Sequence, residues 1–296
     1  MAKKSKKHPI LKRLFEERVD PQTGNPKVTG RLIVTGDDVV KAIQETKTKL
    51  GTKNPANFLK DLLRSKDRNG AWTSGVTELR WSARQSYGEG RVFEFVPFTA
   101  DQTEPFPDPF DISLLPKPHL IQAVSLDAYA RKLGRKDESW LIQTCVSLRL
   151  IETHFALYSP MRHKIIDIHH LQNSVKLTPE IDAIFLMTYR EEDTEVRAIV
   201  TLEAKRDELI LVEQIKAQVA KMGAVYQSLK DEGIDTVIGL ACRSFGKNEQ
   251  RRVGIFELSA VSISEAGALD GDESWRLPLT IVGSGAYEFV PSVTGI

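Results

Sequence analysis

Two carboxylates and an amine stand at the ends of two neighbouring apolar runs, where they could share a divalent cation. Asp182 precedes the run AIFLMTY, and Glu203 and Lys205 follow the run VRAIVTL. The segment between the runs, REEDTE (190–195), is wholly polar. Such an arrangement predicts an antiparallel hairpin with a six-residue turn centred between residues 192 and 193.

The expected strand register sets the acidic side chains against one another. Pairing about that turn places Asp182 opposite Glu203 and Glu180 opposite Lys205, and the two-residue period of a strand puts all four on one face. Like charges that are directly opposed destabilise a sheet. Two carboxylates converging on Mg²⁺ would give the pair a purpose, because Mg²⁺ takes oxygen ligands. The pattern therefore predicts a magnesium site at the polar end of the hairpin.

The chemistry that such a site suits is hydrolysis of a phosphodiester. This reaction needs an activated water, an electrophile on the phosphoryl oxygens and neutralisation of charge at the leaving oxygen, which one or two bound Mg²⁺ ions can supply. The ammonium of Lys205 can orient or deprotonate the water, or stabilise the pentavalent transition state. The sequence leaves these three roles open.

The order Pro179-x-x-Asp182 followed, after 20 intervening residues, by Glu203-Ala204-Lys205 resembles the PD-(D/E)xK nuclease superfamily and, within it, the type II restriction endonucleases. The resemblance covers about residues 137–263. It implies an α/β fold with a mixed sheet flanked by helices, in the order helix, three-stranded meander, helix, strand. It also implies that Asp182 and Glu203 bind Mg²⁺ and that Lys205 assists the attacking water. In the nominal motif the proline adjoins the aspartate, whereas here two residues separate them.

The resemblance further implies supporting residues on the neighbouring helices. An acidic residue often lies on the helix before the meander; Glu152 is the matching position and a candidate third metal ligand, although a solvated helix charge is the alternative. A glutamine often lies on the following helix, where Gln214 and Gln218 share one face because they are four residues apart. We expect Glu180, Gln214 and Gln218 to support the site or touch the DNA backbone. The helix segment EQIKAQVAKMGAVYQ is similar to the Gln/Tyr helix of recombination nucleases but does not match its spacing.

A proline-rich segment divides the chain. Residues 99–118 hold five of the 14 prolines, which excludes a helix or a central strand and predicts a linker or extended arm. We expect residues 1–98 to form a basic DNA-recognition domain and residues 119–296 to form the nuclease domain.

The order of expected elements differs between the two parts. The first has helices over 39–50 and 56–65, then strand-like runs over 77–87 and 91–98, an order typical of winged-helix DNA-binding domains and also of other small α+β domains. The second has helices over 137–159 and 207–231 and strands over 163–169, 180–189, 196–205, 235–242 and 252–263.

The net charge of +1 hides an asymmetry along the chain. Residues 1–98 contain 20 Lys and Arg against 11 Asp and Glu, whereas the remainder contains 21 against 29. A basic first third suggests a surface that faces a polyanion, although a Lys-rich N-terminal tail accounts for part of the excess.

The candidate DNA contacts interleave basic, amide and aromatic groups on the predicted hairpin of the first part. Arg and Gln are the side chains that read guanine and adenine edges. The alternative is a solvent-facing strand surface with Trp81 packed beneath it. The candidates are Arg80, Arg84, Gln85, Tyr87 and Arg91.

Composition describes an ordinary globular protein, with 41% hydrophobic and 27% charged residues. No apolar run approaches the ~20 residues that a membrane-spanning helix needs, and the basic N-terminus lacks the apolar stretch of a signal peptide. Cys145 and Cys242 each lie in an apolar stretch, which predicts buried free thiols in a reducing compartment. We therefore expect a cytoplasmic protein without a membrane partner.

Three functions are compatible with these patterns. The first is a type II restriction endonuclease that cuts double-stranded DNA at a short specific sequence with Mg²⁺, as a homodimer because one active site must act on two strands. The second is a DNA repair or recombination nuclease of the same superfamily. The third is a DNA-binding regulator with an inactive nuclease domain; against it, a silent relic has no physical need of a repulsive acidic pair.

Overall fold

A computed structural model of the chain describes residues 5–247 and 250–296 and divides into two compact units, Met1–Asp108 and Pro109–Ile296. The boundary falls inside the proline-rich segment that we expected to be a linker or arm. The fold is mixed α/β, as predicted, with a large mixed sheet flanked by helices in the second unit.

The first unit combines short helices with a small antiparallel sheet. The strand order in this sheet is β1-β3-β2. The elements are α1 (His8–Glu16), β1 (Leu32–Thr35), α2 (Gly36–Glu45), α3 (Lys60–Leu63), α4 (Arg68–Ala71), α5 (Ser74–Glu78), β2 (Trp81–Gln85) and β3 (Arg91–Pro97).

Local signals explain where these elements begin and end. The Thr35 side chain accepts a hydrogen bond from the Asp38 backbone, and the Asp38 carboxylate accepts one from Thr35, so a capping box starts α2 beside Asp37 and Asp38, where the sequence predicts its beginning. The helix ends at Glu45 and not at Leu50, the predicted end. The predicted helix over 56–65 is instead a 3₁₀ turn (Pro55–Asn57) followed by the short α3, because Asn54 makes no side-chain cap. Phe93 and Phe95 of β3 form edge-to-face contacts in the core of the unit.

The proline-rich segment packs against the units at both of its ends. The Arg68 guanidinium donates to the carbonyls of Phe106 and Pro107, and the Phe106 side chain is buried. On the other side of the boundary, Phe110 is fully buried and lies against Phe256 in the second unit. Prolines therefore set an extended path here without leaving the segment unpacked.

The second unit is built on an eight-stranded sheet with the order β4-β11-β9-β8-β7-β6-β5, and β10 pairs with β8. The pairs β7–β8 and β4–β11 are parallel and the others are antiparallel. The elements are β4 (His119–Gln122), α6 (Ala128–Leu133), α7 (Glu138–Ser147), α8 (Leu150–Tyr158), β5 (Ile165–Val175), β6 (Ile181–Glu191), β7 (Thr194–Lys205), α9 (Val212–Tyr226), β8 (Ile234–Phe245), β9 (Arg252–Leu258), β10 (Val261–Ser262), α10 (Ile263–Ala268) and β11 (Ile281–Val290).

Each face of this sheet has its own core. Helices α7 and α8 pack on one face, over Phe185 and Val200 among others, and α9 and α10 pack on the other, over Ile199 and Val237. Cys145 and Cys242 are buried free thiols, as predicted, with their sulfur atoms 3.8 Å apart. This packing fixes the two strands that carry the acidic residues between helices on both sides.

Two elements differ from their predicted form. The helix expected over 137–159 is broken at Arg149, which has a left-handed backbone (φ 51°), and the break turns the chain so that α7 and α8 both bury side chains in one core. The turn of the β6–β7 hairpin spans only Glu192 and Asp193, because the polar residues on either side continue the ladder in solvent.

Candidate active site

The β6–β7 hairpin has the register that we predicted from the sequence. Ala183 pairs with Leu202 and Glu191 with Thr194. The same register, continued by one residue, sets Asp182 opposite Glu203, and the Asp182 Oδ2 accepts a hydrogen bond from the Ala204 backbone N–H at 2.8 Å. The two carboxylates therefore meet at one end of the hairpin.

Lys205 lies between the two carboxylates. Its Nζ is 2.8 Å from Glu203 Oε1 and 3.8 Å from Asp182 Oδ2, and it donates to the Ala204 carbonyl at 2.9 Å. Glu203 is 1% and Lys205 8% exposed, whereas the Asp182 side chain is 20% exposed. The three groups form a buried cluster that solvent reaches on the Asp182 side.

Burial and charge disfavour the ionised form of Asp182. Burial, followed by the neighbouring Glu203 carboxylate, raises the pKa of Asp182 to about 6, and the Lys205 ammonium and the Ala204 N–H act in the opposite direction. With both acids ionised, Asp182, Glu203 and Lys205 together carry a net negative charge, which favours the binding of a cation.

Gln218 of α9 holds Glu203 in place. Its side-chain Nε2 donates to Glu203 Oε2 at 2.7 Å and to the Glu180 carbonyl at 2.8 Å, and the residue is fully buried. Gln214, one turn earlier on α9, is also buried. Of these two predicted glutamines, Gln218 is therefore the one that the structure places against an acidic residue of the site.

The register predicted that Glu180 faces Lys205. In the structure, the hydrogen-bond partners of the Glu180 side chain are instead Ser174 and Lys176, at the end of β5 and just after it. Glu180 Oε1 accepts hydrogen bonds from Ser174 Oγ, at 3.0 Å, and from Lys176 Nζ. The Lys176 hydrogen bond, followed by that of Ser174, lowers the pKa of Glu180. Glu180 supports the site through its backbone carbonyl, which Gln218 binds.

Among the acids of the preceding helices, Glu138 and not Glu152 influences Asp182. Glu138 is the first residue of α7, and its charge contributes to the raised pKa of Asp182. Glu152 lies on α8, beyond the break at Arg149, and pairs with the Arg149 guanidinium at 3.2 Å. The sequence could not foresee this choice, since a continuous helix over 137–159 gives Glu152 a different orientation.

The predicted Mg²⁺-dependent cleavage of DNA can be tested at Glu138. Because its negative charge acts on Asp182, we expect Glu138→Gln to raise the Mg²⁺ concentration that cleavage requires and to lower the rate at limiting Mg²⁺. Glu152→Gln, the matched control, is expected to change the rate little because Arg149 already neutralises that charge. The check is the initial rate of plasmid cleavage across a Mg²⁺ series. A larger effect at Glu152 than at Glu138 would reverse this assignment.

The hairpin arginines proposed as DNA contacts have partners within the first unit. Arg84 pairs with the buried Glu94 carboxylate, and Arg80 donates to the carbonyls of Thr99 and Gln102 at 3.0 and 3.2 Å. Trp81 is buried and donates to the Gly24 carbonyl. These contacts favour the structural interpretation of the hairpin surface over base recognition by these two arginines.

The remaining candidates on the hairpin are partly buried. Gln85 pairs with Phe93 in the β2–β3 ladder, and Tyr87 and Arg91 lie on either side of the hairpin turn with intermediate exposure. Gln85, Tyr87 and Arg91 therefore lie on one hairpin, as predicted. Their contact with DNA stays a prediction.

The donor set of the acidic cluster fits a hard divalent cation. Asp182 and Glu203 offer carboxylate oxygens, and the buried Gln218 Oε1 accepts no hydrogen bond. Glu203 Oε1 is paired with Lys205 Nζ at 2.8 Å. Within residues 5–247 and 250–296, no group of three or more His, Cys, Asp or Glu side chains is arranged to hold a metal. Mg²⁺ needs only one or two carboxylates, since it retains several waters.

In comparisons with known proteins, no protein-family model, curated protein or solved structure matches the chain. No described helix is both long and apolar enough to cross a membrane.

Proposed function

We propose that this protein is a type II restriction endonuclease, which hydrolyses phosphodiester bonds of double-stranded DNA at a short specific sequence with Mg²⁺. The observation that carries the proposal is the opposed Asp182–Glu203 pair at one end of a hairpin, with Lys205 Nζ 2.8 Å from Glu203 and 3.8 Å from Asp182. A like-charged pair in this position has no stabilising role of its own. Cation binding gives it one.

The order of elements supports the same proposal. Helices α7 and α8, the antiparallel meander β5-β6-β7, helix α9 and the parallel strand β8 follow the order that the resemblance implies for a restriction-endonuclease-like core. In the first unit, the helices followed by the β2–β3 hairpin fit a winged-helix-like DNA-recognition domain, which we propose as its role.

Each residue of the cluster has a defined task in this reaction. Asp182 and Glu203 would hold Mg²⁺, which supplies an electrophile for the phosphoryl oxygens and lowers the pKa of the attacking water. Gln218 fixes the Glu203 carboxylate through its Nε2 hydrogen bond. Lys205 brings an ammonium to the place where negative charge develops on the phosphoryl group.

A duplex has two strands, and the Asp182–Glu203–Lys205 cluster occurs once in the described part of the chain. We propose a homodimer, in which each copy cuts one strand of a symmetric target. We also place the protein in the cytoplasm, where the buried thiols Cys145 and Cys242 stay reduced.

The decisive experiment is incubation of the purified protein with supercoiled plasmid DNA and Mg²⁺, with a parallel reaction in EDTA. We expect discrete fragments with Mg²⁺ and intact plasmid with EDTA. Glu203→Ala is the inactive control, with a rate reduced roughly 10³-fold or more because the site loses a buried carboxylate that no neighbour replaces.

The other outcomes separate the alternative functions. A smear, or nicking only of branched or damaged DNA, would indicate a repair or recombination nuclease. Binding of DNA without cutting under any divalent cation would indicate a regulator with an inactive nuclease domain. Sequencing the ends of the discrete fragments would identify the target sequence and the cut position together.

A further inference from the structure

Two arginines at the β2–β3 hairpin, Arg80 and Arg84, are engaged inside the first unit, so we looked for exposed positive charge in its other segments. Arg84 and Arg31 share the buried Glu94 carboxylate, and Arg80 donates to two backbone carbonyls. A cation that is neutralised within the fold contributes little to attraction of a polyanion.

One concentration of exposed positive charge in the first unit is the lysine loop, defined here as residues 46–54 between α2 and the Pro55–Asn57 turn. It contains three lysines, Lys47, Lys49 and Lys53, all exposed. The sequence from 46 to 60 contains no acidic residue. The rest of the loop consists mostly of threonine, glycine and asparagine, which add hydrogen-bond donors to the positive charge.

Lys47 has a left-handed backbone conformation, which lysine does not favour. Lys47 follows the C-cap Thr46 of α2 and has a φ of 51°. This left-handed position at a helix end favours glycine or asparagine. A cation near a helix C-terminus gains from the helix dipole, but Lys49 and Lys53 lie beyond the reach of that effect. Lysine is therefore not the residue that the backbone favours at position 47.

We propose that the lysine loop binds the phosphate backbone of double-stranded DNA, independently of sequence. The choice of DNA as the ligand rests on the proposed function. An anionic membrane is the less suitable partner, because membrane-binding segments also insert large apolar side chains. The only large apolar residue of the loop, Leu50, is half-buried. Lysines act as point charges toward phosphates and do not make the two-pronged contacts that read bases.

The test measures binding of the full chain to a fluorescein-labelled 30-bp duplex of random sequence, in EDTA, over a series of KCl concentrations. The variant carries Lys47→Gln, Lys49→Gln and Lys53→Gln. We expect the slope of log K against log[KCl] to fall in magnitude by about 3, since each phosphate contact contributes ~0.9. At low salt the affinity should fall about tenfold or more.

The matched control removes the same total charge from the same unit by Lys12→Gln, Lys27→Gln and Lys41→Gln. These lysines are exposed but have partners: Lys12 pairs with Glu16, Lys41 with Glu45, and Lys27 donates to the Glu16 carbonyl. We expect the control to keep most of the wild-type affinity and slope. An equal loss in both triple variants would assign the effect to overall charge and overturn the proposal.

A single substitution separates binding from folding. Lys47→Gly places the favoured residue at the left-handed position, so the melting temperature should stay the same or rise while DNA affinity falls. Weaker binding together with a lower melting temperature in both Lys47→Gly and the loop triple variant would assign the loop a structural role and overturn the proposal.

The result also separates this inference from the proposed function. Plasmid cleavage with an unchanged salt dependence in the loop variant would overturn the role of the loop and leave the nuclease intact. If the wild-type protein does not cleave DNA but binds it, and the loop variant loses that binding, the proposed nuclease function would be wrong and the loop would remain a DNA-binding surface. Binding of phosphatidylserine vesicles, with no binding of the duplex, would overturn the choice of DNA.

Discussion

Asp182→Asn is expected to make the protein more stable in EDTA at pH 8 and to abolish DNA cleavage. Asparagine keeps the shape of the side chain, and its Oδ1 can still accept the Ala204 N–H. It removes a carboxylate whose ionised form burial and Glu203 disfavour. It also removes a ligand from the proposed Mg²⁺ site, so cleavage should fall roughly 10³-fold or more.

The stability gain should depend on pH in a defined direction. The folded-state pKa of Asp182, about 6, is raised above the ordinary aspartate value of 3.8. Between these two values the folded state binds more protons than the unfolded state, so wild-type stability falls as pH rises from about 4 to 6 and then levels off. Above pH 7 the penalty is at most about 3 kcal/mol. Asp182→Asn removes this slope.

The measurement is urea unfolding of wild type and Asp182→Asn in EDTA at pH 5 and pH 8, with plasmid cleavage assayed in Mg²⁺. Asp193→Asn is the matched control, because Asp193 is exposed in the two-residue turn of the same hairpin. It should change neither stability nor cleavage appreciably. If Asp182→Asn were less stable than wild type at pH 8, the carboxylate would be a stabilising group in the metal-free fold and the argument for a strained acidic pair would fail.

The part of the site that lies on the β6–β7 hairpin could be predicted from the sequence. Two apolar runs placed symmetrically about residues 192 and 193 fix the register, and a two-residue period then places Asp182 and Glu203 on one face. The length of the turn did not follow, since the polar residues 190–195 indicate exposure, and an exposed strand still pairs. The symmetry of the apolar runs therefore predicts the register, but the polar residues between them do not predict where the turn begins and ends.

The contributions of the neighbouring helices could not be predicted from sequence to the same degree. Gln214 and Gln218 share a helix face, and only the depth at which α9 packs brings Gln218 to Glu203. The break at Arg149 decides between Glu138 and Glu152, and no Gly or Pro marks it in the sequence. Both outcomes depend on packing over long sequence separations, which local patterns do not encode.

Strand pairing also gives one of the predicted DNA contacts in the first unit a partner within the fold. Arg84 and Glu94 are opposed in the β2–β3 register, so an arginine expected to face DNA forms an ion pair inside the unit. The pair could have been found by applying to this hairpin the register argument that served for β6 and β7. Strands β4 and β11, which the sequence analysis did not identify, pair across more than 160 residues.

Lys205→Met should have the opposite effect on stability from Asp182→Asn, although it also abolishes cleavage. Methionine keeps much of the volume of the side chain but removes the ammonium that lies 2.8 Å from Glu203 Oε1. Loss of one partner from a buried ion pair leaves an uncompensated charge and costs about 3–5 kcal/mol. Cleavage should fall by roughly 10²–10⁴-fold, the range for loss of a positioned acid–base group.

The pH dependence of this variant distinguishes electrostatics from packing. Lys205 lowers the pKa of Asp182, so its removal raises that pKa further. One proton then stays on the acidic pair at pH 5, and the deficit in stability relative to wild type should be smaller at pH 5 than at pH 8. A packing defect would give the same deficit at both values.

The double variant Asp182→Asn, Lys205→Met completes a thermodynamic cycle on the cluster. If charge compensation links the two residues, the double variant should recover at pH 8 much of the stability that Lys205→Met loses, because it removes an acid together with the base. Cleavage should remain absent, since neither group is restored. Additive stability changes in the cycle would mean that the ammonium and the Asp182 carboxylate act independently, and the shared-charge description of the site would have to be abandoned.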